Sequence, residues 1–325
     1  MHIPPLDPAE VTDPVAVITG GWSRERDRAL LSGSTVVDTL ADMGVKTRVL
    51  DLADAREDLL EGLDGVKTAV LAIAGRGAED GRLQGLLETL GVAYTGSGVL
   101  ASAIGMHKIH AKTLVAVAGV RVPKGTRIDA TANAGDEADR VSRLLGLPVI
   151  VKPVGEGGSI GVRVAITLGA LAAAISDVKA GGELMAEVFY PGRSVSVGVL
   201  EGPHGALHVL PPLEAETPNG VYSYAAKRGE SACDYFCPAR VSPGTLVSLR
   251  RQAVAAHRVL YCHSYSRSDF IVTGAGDAVW LEVNTLPGLS RAGNLARMAL
   301  ADGISHEQLL AHILRGARTD RRAHA

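Results

Sequence analysis

The feature that most constrains the fold of this chain is a pair of apolar, β-branched runs that flank a short turn. The runs are residues 270–272 and 278–281, and the turn between them is Gly-Ala-Gly-Asp at 274–277. Apolar runs on both sides of a glycine-containing turn are typical of two antiparallel strands. The sequence therefore predicts a β-hairpin in the last quarter of the chain.

This hairpin is predicted to gather oxygen-bearing side chains. If Thr273 pairs with Ala278, Asp269 lies directly opposite Glu282, and Asn284 points to the same face because side chains alternate along a strand. Two carboxylates and a carboxamide suit a hard divalent cation such as Mg²⁺, which in proteins often also binds phosphate oxygens. The alternative is a solvated polar face at a sheet edge, and the hairpin alone leaves both interpretations open.

Composition limits the classes of partner. A chain of 325 residues is long for one core, so two or three domains are expected. Its net charge of −2 offers no global field for nucleic acid or for an anionic membrane, and we expect neither partner. No run approaches the ~18 apolar residues of a membrane-spanning helix. The first residues lack the basic and apolar regions of a signal peptide, so a cytoplasmic location is expected.

The cysteines are too few for a disulfide framework. There are three, Cys233, Cys237 and Cys262, and an odd number cannot pair completely within one chain. Zinc binding by Cys233, Cys237 and His263 is an alternative, but the spacing fits no common closed site and a fourth ligand is not obvious. Reduced thiols in a cytoplasmic protein are the simpler interpretation.

The N-terminal part of the chain reads as a parallel α/β sheet. Strand-like runs and one amphipathic helix-like segment alternate at residues 15–18, 24–43, 47–50 and 68–73. Such sheets bind ligands in the loops at the carboxyl ends of their strands, here residues 20–26 and 74–81. The first turn lacks the glycine pattern of a dinucleotide site, so that class of ligand is unsupported.

Three segments are predicted for the whole chain. A break near residue 107 separates an N-terminal domain (1–106) from a central one (107–190), and a third (191–325) carries the hairpin. In the central segment, Glu-Gly-Gly-Ser-Ile-Gly at 156–161 joins two strand-like runs. This turn can fold over phosphates because glycine lets backbone N–H groups approach closely, although a plain hairpin turn is the alternative. The long polar stretch 214–237 is predicted to be an irregular mobile loop.

These motifs, in this order, resemble a D-alanine–D-alanine ligase of the ATP-grasp superfamily. The resemblance covers about residues 15–314. It is carried by GGWSRER at 20–26, GRGAEDG at 75–81, YTGSG at 94–98, VIVKP at 149–153, RSD at 267–269 and EVNTLPG at 282–288. It implies an α/β protein with an ATP-grasp fold behind an N-terminal Rossmann-like domain, and a cytoplasmic homodimer.

The resemblance implies an amide-forming reaction. ATP would phosphorylate the carboxylate of one amino acid, and the amine of a second would displace phosphate from the acylphosphate. Asp269, Glu282 and Asn284 would hold two Mg²⁺ ions against the phosphates. Arg267 and the Gly288 N–H would stabilise the oxyanion of the tetrahedral intermediate.

The resemblance also assigns residues around the nucleotide and the first substrate. Those on the nucleotide side are Lys108, Lys152, Gly157, Gly158, Glu187 on the adenine side, and Lys227 on the mobile loop, while Ser159 is assigned to the catalytic residues. Glu25 would anchor the ammonium of the first amino acid. Without the resemblance, Lys108 reads as a solvated helix residue and Glu25 as an acid favoured by a helix dipole. Lys152 lies inside an apolar strand, where a lysine is costly without an anionic partner.

Several positions depart from the family pattern near the substrate. Ala74 replaces a usual histidine, Gly158 a serine, and Arg228 an aromatic residue that follows the loop lysine, while Ser194 replaces a ribose-side glutamate. The pair that contacts the second amino acid aligns with Asn294 and Leu295, or with Gly293 and Asn294.

The altered positions leave the substrate open. One hypothesis is that Arg228 reaches an anionic group on a substrate larger than alanine, and the alternative is that it faces solvent. The first interpretation of the whole chain is a ligase that joins two amino acids. The alternatives are an ATP-grasp enzyme of specialised metabolism that makes an amide or ring from another amino acid, and a nucleotide-binding homologue without catalysis.

Overall fold

The computed structural model describes residues 1–178, 182–218 and 232–319, and these residues form three β-sheets in succession along the chain. The first sheet has the order β2-β1-β3-β4 and every pairing in it is parallel. Its strands are β1 (Val15–Thr19), β2 (Thr47–Asp51), β3 (Thr68–Leu71) and β4 (Ala93–Tyr94), and its helices are α1 (Arg26–Asp42), α2 (Arg56–Gly62), α3 (Arg82–Leu90) and α4 (Val99–Met106). The predicted parallel α/β sheet is therefore confirmed.

The central strand β1 shows why this segment folds as it does. All five of its residues are buried, as expected for a strand covered by helices on both faces. At its end Gly20 adopts φ +67°, a left-handed conformation that glycine accepts without strain. A Cβ there would also lie 2.2 Å from the Asp51 carboxylate, so glycine is required on two grounds. The chain then enters α1, whose start carries Glu25.

The second sheet is antiparallel and has the order β5-β8-β6-β7. Its strands are β5 (Gly125–Ile128), β6 (Val149–Pro153), β7 (Arg163–Ala165) and β8 (Leu184–Val188), and the helices of this segment are α5 (Lys108–Val117), α6 (Ala134–Leu145) and α7 (Leu168–Val178). Strands β6 and β7 form the predicted pair around the glycine-rich turn 156–161.

The third sheet has the order β12-β11-β9-β13-β14, with β10 paired to β9. Its strands are β9 (Gly192–Glu201), β10 (Leu207–Val209), β11 (Leu213–Glu216), β12 (Asp234–Phe236), β13 (Tyr265–Thr273) and β14 (Ala278–Asn284), and the helices are α8 (Pro243–Val259), α9 (Asn294–Ala301) and α10 (His306–Arg315). The prediction that residues 214–237 are irregular throughout is wrong at both ends, because β11 and β12 pair with each other there. These two short strands carry polar side chains, so the sequence pattern did not indicate them.

The hairpin of β13 and β14 is confirmed, but its register differs from the prediction near the turn. Val272 rather than Thr273 pairs with Ala278, which would move Asp269 out of line with Glu282. A β-bulge between Asp269 and Phe270 inserts one extra residue, Leu281, in β14 and restores the pairing of Asp269 with Glu282. Arg267 then lies opposite Asn284.

The three sheets fall within the three segments predicted from the sequence, whose exact boundaries stay a prediction. The C-terminal helices return to the first segment: α10 packs on α1, and Leu309, Leu310 and Ile313 share a core with β1. Among the described residues, no helix has the length and apolar character needed to cross a membrane.

Candidate active site

A cleft lies between the second and third sheets and encloses about 1030 Å³, part of it open to solvent. We call it the intersheet cleft. Its charged and polar lining includes Lys108, Lys152, Glu187, Ser196, Asp269 and Glu282. Apolar side chains such as Ile150 and Ile271 complete the walls. Its mixture of apolar walls with a few convergent charges is typical of a small-molecule site.

At one end of the cleft, four hydrogen bonds orient the Asp269 carboxylate. Oδ1 accepts from the Ser196 hydroxyl at 2.7 Å and from Arg267 Nε at 2.8 Å. Oδ2 accepts from Arg267 Nη2 at 2.9 Å and from Asn284 Nδ2 at 3.1 Å. Because all four partners donate to its two oxygens, they fix the direction of the carboxylate. The structure thus brings Asp269, Asn284 and Arg267 together as predicted.

Glu282 faces the same cleft and is paired with Lys108. The Lys108 ammonium lies 3.3 Å from Glu282 Oε2 and also donates to the Glu156 carbonyl in the glycine-rich turn. Lys108 is the first residue of α5, which His107 caps by accepting from the His110 N–H. The helix start therefore positions the lysine between the hairpin and the turn. It is not the solvated surface lysine of the alternative interpretation, since the residue is only 8% exposed.

Glu187 is buried between two lysines. Lys152 donates to Glu187 Oε1, and Lys112 lies 3.2 Å from Oε2. Burial alone would raise the pKa of Glu187, but the two lysines outweigh burial and hold this pKa below its usual value. Burial lowers the pKa of Lys112 to about 8, although Glu187 opposes the shift. The anionic partner expected for a lysine in an apolar strand is thus Glu187.

No role was predicted from the sequence for Lys112 or Ser196. Lys112 lies four residues after Lys108, on the same face of α5, and that spacing was the available signal. It donates to the Leu281 carbonyl at 2.7 Å and lies 5.5 Å from the centre of the Trp280 ring. Ser196 had no local signal, because only the pairing of β9 with β13 places it opposite Asp269.

The glycine-rich turn reaches from the cleft to α1. A Cβ at Gly157 would lie 2.3 Å from Glu25 Oε2, so any other residue there would displace the turn or the Glu25 side chain. Gly158 and Ser159 follow with φ of +63° and +64°, which is uncommon for serine. Ser159 lines the intersheet cleft. The turn therefore touches both the cleft and the acidic residue at the start of α1.

Glu25 lies where three loops from distant parts of the chain meet. Its Oε1 accepts from Arg28 Nη1 at 2.7 Å, and its Oε2 lies 3.5 Å from the position of a Cβ at Gly75. A Cβ at Gly288 would lie 3.9 Å from Arg28 Nη2. We call this place, where the loops around Gly75, Gly157 and Gly288 surround the Glu25–Arg28 pair, the three-loop junction. Glu25 is only 4% exposed, which a simple helix-dipole role does not require.

Some predicted residues lie elsewhere. Lys227 and Arg228 lie outside the described residues. Ala74 is half-buried, and its carbonyl accepts from the Ser23 hydroxyl at 2.9 Å. Ser194 lines the intersheet cleft.

The residues predicted to contact the second amino acid, Gly293, Asn294 and Leu295, lie in different environments. Gly293 precedes α9 and Asn294 begins it. Leu295 has no exposed surface and packs in the core near Gly198. The structure therefore does not bring the Leu295 side chain to the site, because the first turn of α9 directs it inward.

The zinc alternative is not supported. Cys237 Sγ contacts the Pro211 carbonyl, whereas His263 bonds Glu201 and the Gly316 carbonyl. Across residues 1–178, 182–218 and 232–319, no group of three or more His, Cys, Asp or Glu residues is arranged to hold a metal. The oxygen-rich end of the cleft has two carboxylates and an amide.

Comparison with known proteins gives a consistent result. A family model described as D-ala D-ala ligase C-terminus matches residues 114–315. D-alanine–D-alanine ligase of Citrifermentans bemidjiense is 37% identical over 306 residues, which cover 93% of this chain and 95% of that protein. The corresponding ligase of Nitrosospira multiformis is 38% identical over 301 residues, with 92% and 95% covered.

Solved structures agree in fold. D-alanine–D-alanine ligase from Bacillus anthracis, solved in complex with ATP, superimposes with a TM-score of 0.81 at 26% identity, covering 96% of this chain and 99% of that one. The VanG D-Ala:D-Ser ligase from Enterococcus faecalis gives 0.79 at 26% identity, with 93% and 98% covered.

Proposed function

This chain belongs to the D-alanine–D-alanine ligase family, and we propose that the peptide bond it forms joins two molecules of D-alanine. The chain is an ATP-grasp carboxylate–amine ligase, and the fold class predicted from sequence is confirmed. The observation that carries the substrate proposal is the match to D-alanine–D-alanine ligases at 37–38% identity over more than nine-tenths of the chain.

The reaction has two chemical steps. A carboxylate oxygen of the first amino acid attacks the γ-phosphorus of ATP, and ADP leaves with the electron pair of the broken bond. The amine nitrogen of the second amino acid then attacks the acylphosphate carbon, and phosphate leaves as the amine proton is lost. We propose that Arg267 and the Gly288 N–H stabilise the oxyanion formed in this step, each worth roughly 3–4 kcal/mol in comparable sites.

We propose that ATP lies in the intersheet cleft. Lys108 and Lys152 would meet its phosphates, and the turn with Gly158 and Ser159 would cover them through backbone N–H groups. Support comes from the position of these residues along one cleft. Glu187 is committed to two lysines, so we infer that it acts largely by holding Lys152 toward the phosphates, in addition to the adenine-side role implied by the resemblance.

The oxygen-rich end of the cleft fits Mg²⁺. Asp269 is oriented by four hydrogen bonds, Glu282 adds a second carboxylate to the same cleft, and Asn284 donates to Asp269 through its nitrogen and can offer its carboxamide oxygen. Hard oxygen ligands of this kind suit magnesium. We propose that these three residues hold the metal, two ions as in the family. When bound, the metal would supply positive charge against the β- and γ-phosphates.

The first amino acid is proposed to lie at the three-loop junction, with its ammonium at Glu25. The alternative of a larger substrate rests on Ala74, Gly158 and Arg228. Gly293 and Asn294 stay proposed contacts of the second amino acid through α9.

Assembly and location are also proposals. The family resemblance leads us to propose a homodimer of the 33.7 kDa chain. Analytical ultracentrifugation tests it, and a monomer at micromolar concentration would contradict it. We infer a cytoplasmic location, since both the ATP supply and free thiols are found there.

The deciding experiment measures Mg²⁺-dependent ADP release with a panel of D- and L-amino acids and identifies the product by mass spectrometry. We expect D-alanine to give the highest turnover and D-alanyl-D-alanine as product, unchanged in Arg228→Ala. A strong preference for another amino acid, lost in Arg228→Ala, would replace D-alanine by a larger acidic substrate. Absence of any amino-acid-dependent ADP release would contradict the proposal.

A further inference from the structure

A second buried carboxylate, Glu79, lies beside Glu25 and has no role in the proposed chemistry so far. Its Oε2 accepts from the Gly75 N–H at 2.7 Å, and Glu25 Oε2 approaches the same glycine from α1. Glu79 is 9% exposed and lines a small cavity with Gly157, Glu282 and Asn284. It therefore lies between the three-loop junction and the oxygen-rich end of the intersheet cleft.

Among the described residues around this cavity, Glu79 is a buried carboxyl group without a cationic partner, whereas Glu156, which also lines the cavity, is only half-buried. Glu25 is neutralised by Arg28, Asp269 by Arg267, and Glu282 by Lys108. Within the described part of the chain, no lysine, arginine or histidine nitrogen lies within ion-pair distance of the Glu79 carboxylate. Arg28 and Arg267 act on it only from farther away.

Without a cationic partner, the ionised form of Glu79 is destabilised by its buried environment. Burial, with the nearby Glu25 charge, raises the pKa of Glu79 to about 8, although the Gly75 N–H, Arg28 and Arg267 all favour its ionised form. A buried acid with this much unfavourable desolvation is relieved by a cation that enters the cavity. The Gly75 bond alone does not account for the choice of glutamate, because glutamine would accept the same N–H without burying a charge.

We propose that Glu79 is a binding residue for the substrate ammonium and supplies the one negative charge that the Glu25–Arg28 pair lacks. Once Glu79 is ionised beside the bound amine, two carboxylates and one guanidinium carry a net charge of −1, which matches one ammonium. The inference rests on the proposed function, since it assigns the first amino acid to the three-loop junction. It deepens that function by giving the chain a two-carboxylate site for a cationic amine.

The test compares two substitutions at one position. Glu79→Gln keeps the acceptor for the Gly75 N–H but removes the charge, whereas Glu79→Asp keeps the charge on a shorter side chain. We expect Glu79→Gln to lower kcat/KM for D-alanine roughly 10–100-fold, as for loss of one charged hydrogen bond. Glu79→Asp should lose less, and the KM for ATP should stay within about twofold in both variants.

Controls separate this role from a structural one. Glu137→Gln is the matched control, because Glu137 is also buried and accepts a backbone N–H, from Asp129, but lies in the second sheet's segment. It should leave the KM for D-alanine unchanged. If Glu79 only holds its loop, Glu79→Gln will behave as the unmodified chain and Glu79→Asp will be worse, which overturns the proposal.

Failure of the proposed function can be distinguished from failure of the proposal for Glu79. If the unmodified chain releases no ADP with amino acids, the function fails, and calorimetric titration of D-alanine in the presence of a non-hydrolysable ATP analogue still compares Glu79→Gln with the unmodified chain. Equal affinity, or equal absence of binding, would then count against Glu79. Tighter binding by the unmodified chain would support it.

Discussion

The intersheet cleft and the three-loop junction are built in different ways. In the cleft, Lys152, Glu187, Asp269 and Glu282 stand on paired strands, so sheet register fixes their spacing. At the junction, the Glu25–Arg28 pair is surrounded by loops that approach only where glycine leaves room. Charges also differ, because every carboxylate on the strands of the cleft has a cationic partner, while Glu79 at the junction has none among the described residues.

This difference predicts how the two regions respond to change. A strand position tolerates little displacement, since neighbouring pairs hold it, so substitutions in the cleft should act through lost charge. A loop junction depends on close approach, so even a methyl group should matter there. We therefore expect cleft variants to lose catalysis or stability and junction variants to lose affinity for the amino acid.

The largest effect is expected at Glu282. Glu282→Gln removes one carboxylate from the proposed metal site and the partner of Lys108, while keeping the side-chain shape. Because positioned charge provides most of the catalysis in phosphoryl transfer, kcat for ADP release should fall about 10³-fold. Steady-state ADP release over a range of Mg²⁺ concentrations measures it.

The matched control for Glu282 is Asp277→Asn in the same hairpin. Asp277 pairs with Arg121 at 2.8 Å, is 45% exposed, and lies in the turn away from the cleft. It should retain nearly full activity. A fall of less than tenfold in Glu282→Gln, or an equal fall in Asp277→Asn, would contradict the assigned role.

A smaller effect, on stability rather than chemistry, is expected at Lys112. Lys112→Met removes the cation 3.2 Å from Glu187 Oε2 and the donor to the Leu281 carbonyl, and each buried acceptor left unsatisfied costs about 1–3 kcal/mol. The thermal midpoint should fall by roughly 5–10 °C, and ATP should restore less of it than in the unmodified chain. Lys124→Met, at an exposed lysine that donates to the Leu144 carbonyl, is the control and should shift the midpoint by under about 2 °C. Equal midpoints for the two variants would show that Lys112 does not support Glu187.

The sequence also predicts the cleft residues better than it predicts the contacts at the three-loop junction. The alternating pattern of the hairpin was sufficient to predict Asp269 opposite Glu282, although the assumed closure at Thr273 was wrong and a β-bulge restored the register. Such a bulge has no strong sequence signal, and β13 pairs with β9 without any shift, so the extra residue lies in β14 alone. Residues whose role depends on strand pairing were thus found, apart from Ser196.

At the junction, prediction from sequence reached less far. The motif at 75–81 was recognised, but nothing local showed that Glu79 is buried beside Glu25, some fifty residues away. The glycine at 157 was predicted for phosphate binding, whereas its backbone also lies against Glu25. Contacts between separate loops arise from the packing of whole segments, and a single sequence carries no spacing rule for them.

A substitution at Gly157 tests the contrast between the intersheet cleft and the three-loop junction. In Gly157→Ala the added Cβ would lie 2.3 Å from Glu25 Oε2, so either the turn or Glu25 must move. We expect the KM for D-alanine to rise roughly tenfold with a smaller change in kcat, because binding geometry rather than the phosphoryl-transfer charges is disturbed. Gly155→Ala in the same turn meets nothing within 4 Å and should leave the KM unchanged. A larger effect on the KM for ATP than on that for D-alanine would place Gly157 with the cleft.

The smallest effect is expected in the C-terminal helices, where α10 packs on α1 and so supports the three-loop junction. Glu307 accepts from Arg291 at 2.7 Å, and Arg291 also donates to Thr39 in α1, the helix that Glu25 precedes. Chiefly the Arg291 hydrogen bond lowers the pKa of Glu307 from 4.5 to about 2, so the pair stabilises the fold above pH 4.5 and this contribution is lost as pH falls toward 2. Glu307 is 43% exposed, so solvent screening limits the effect to below about 1 kcal/mol.

Glu307→Gln should therefore lower the thermal midpoint by no more than about 2 °C at pH 7 and by less at pH 3, with both KM values unchanged. Differential scanning calorimetry of the variant and the unmodified chain at the two pH values measures this. The same shift at both pH values would show that charge is not the cause. A raised KM for D-alanine would mean that the position of Glu25 depends on this distant ion pair, and the junction would then extend to the C-terminal helices.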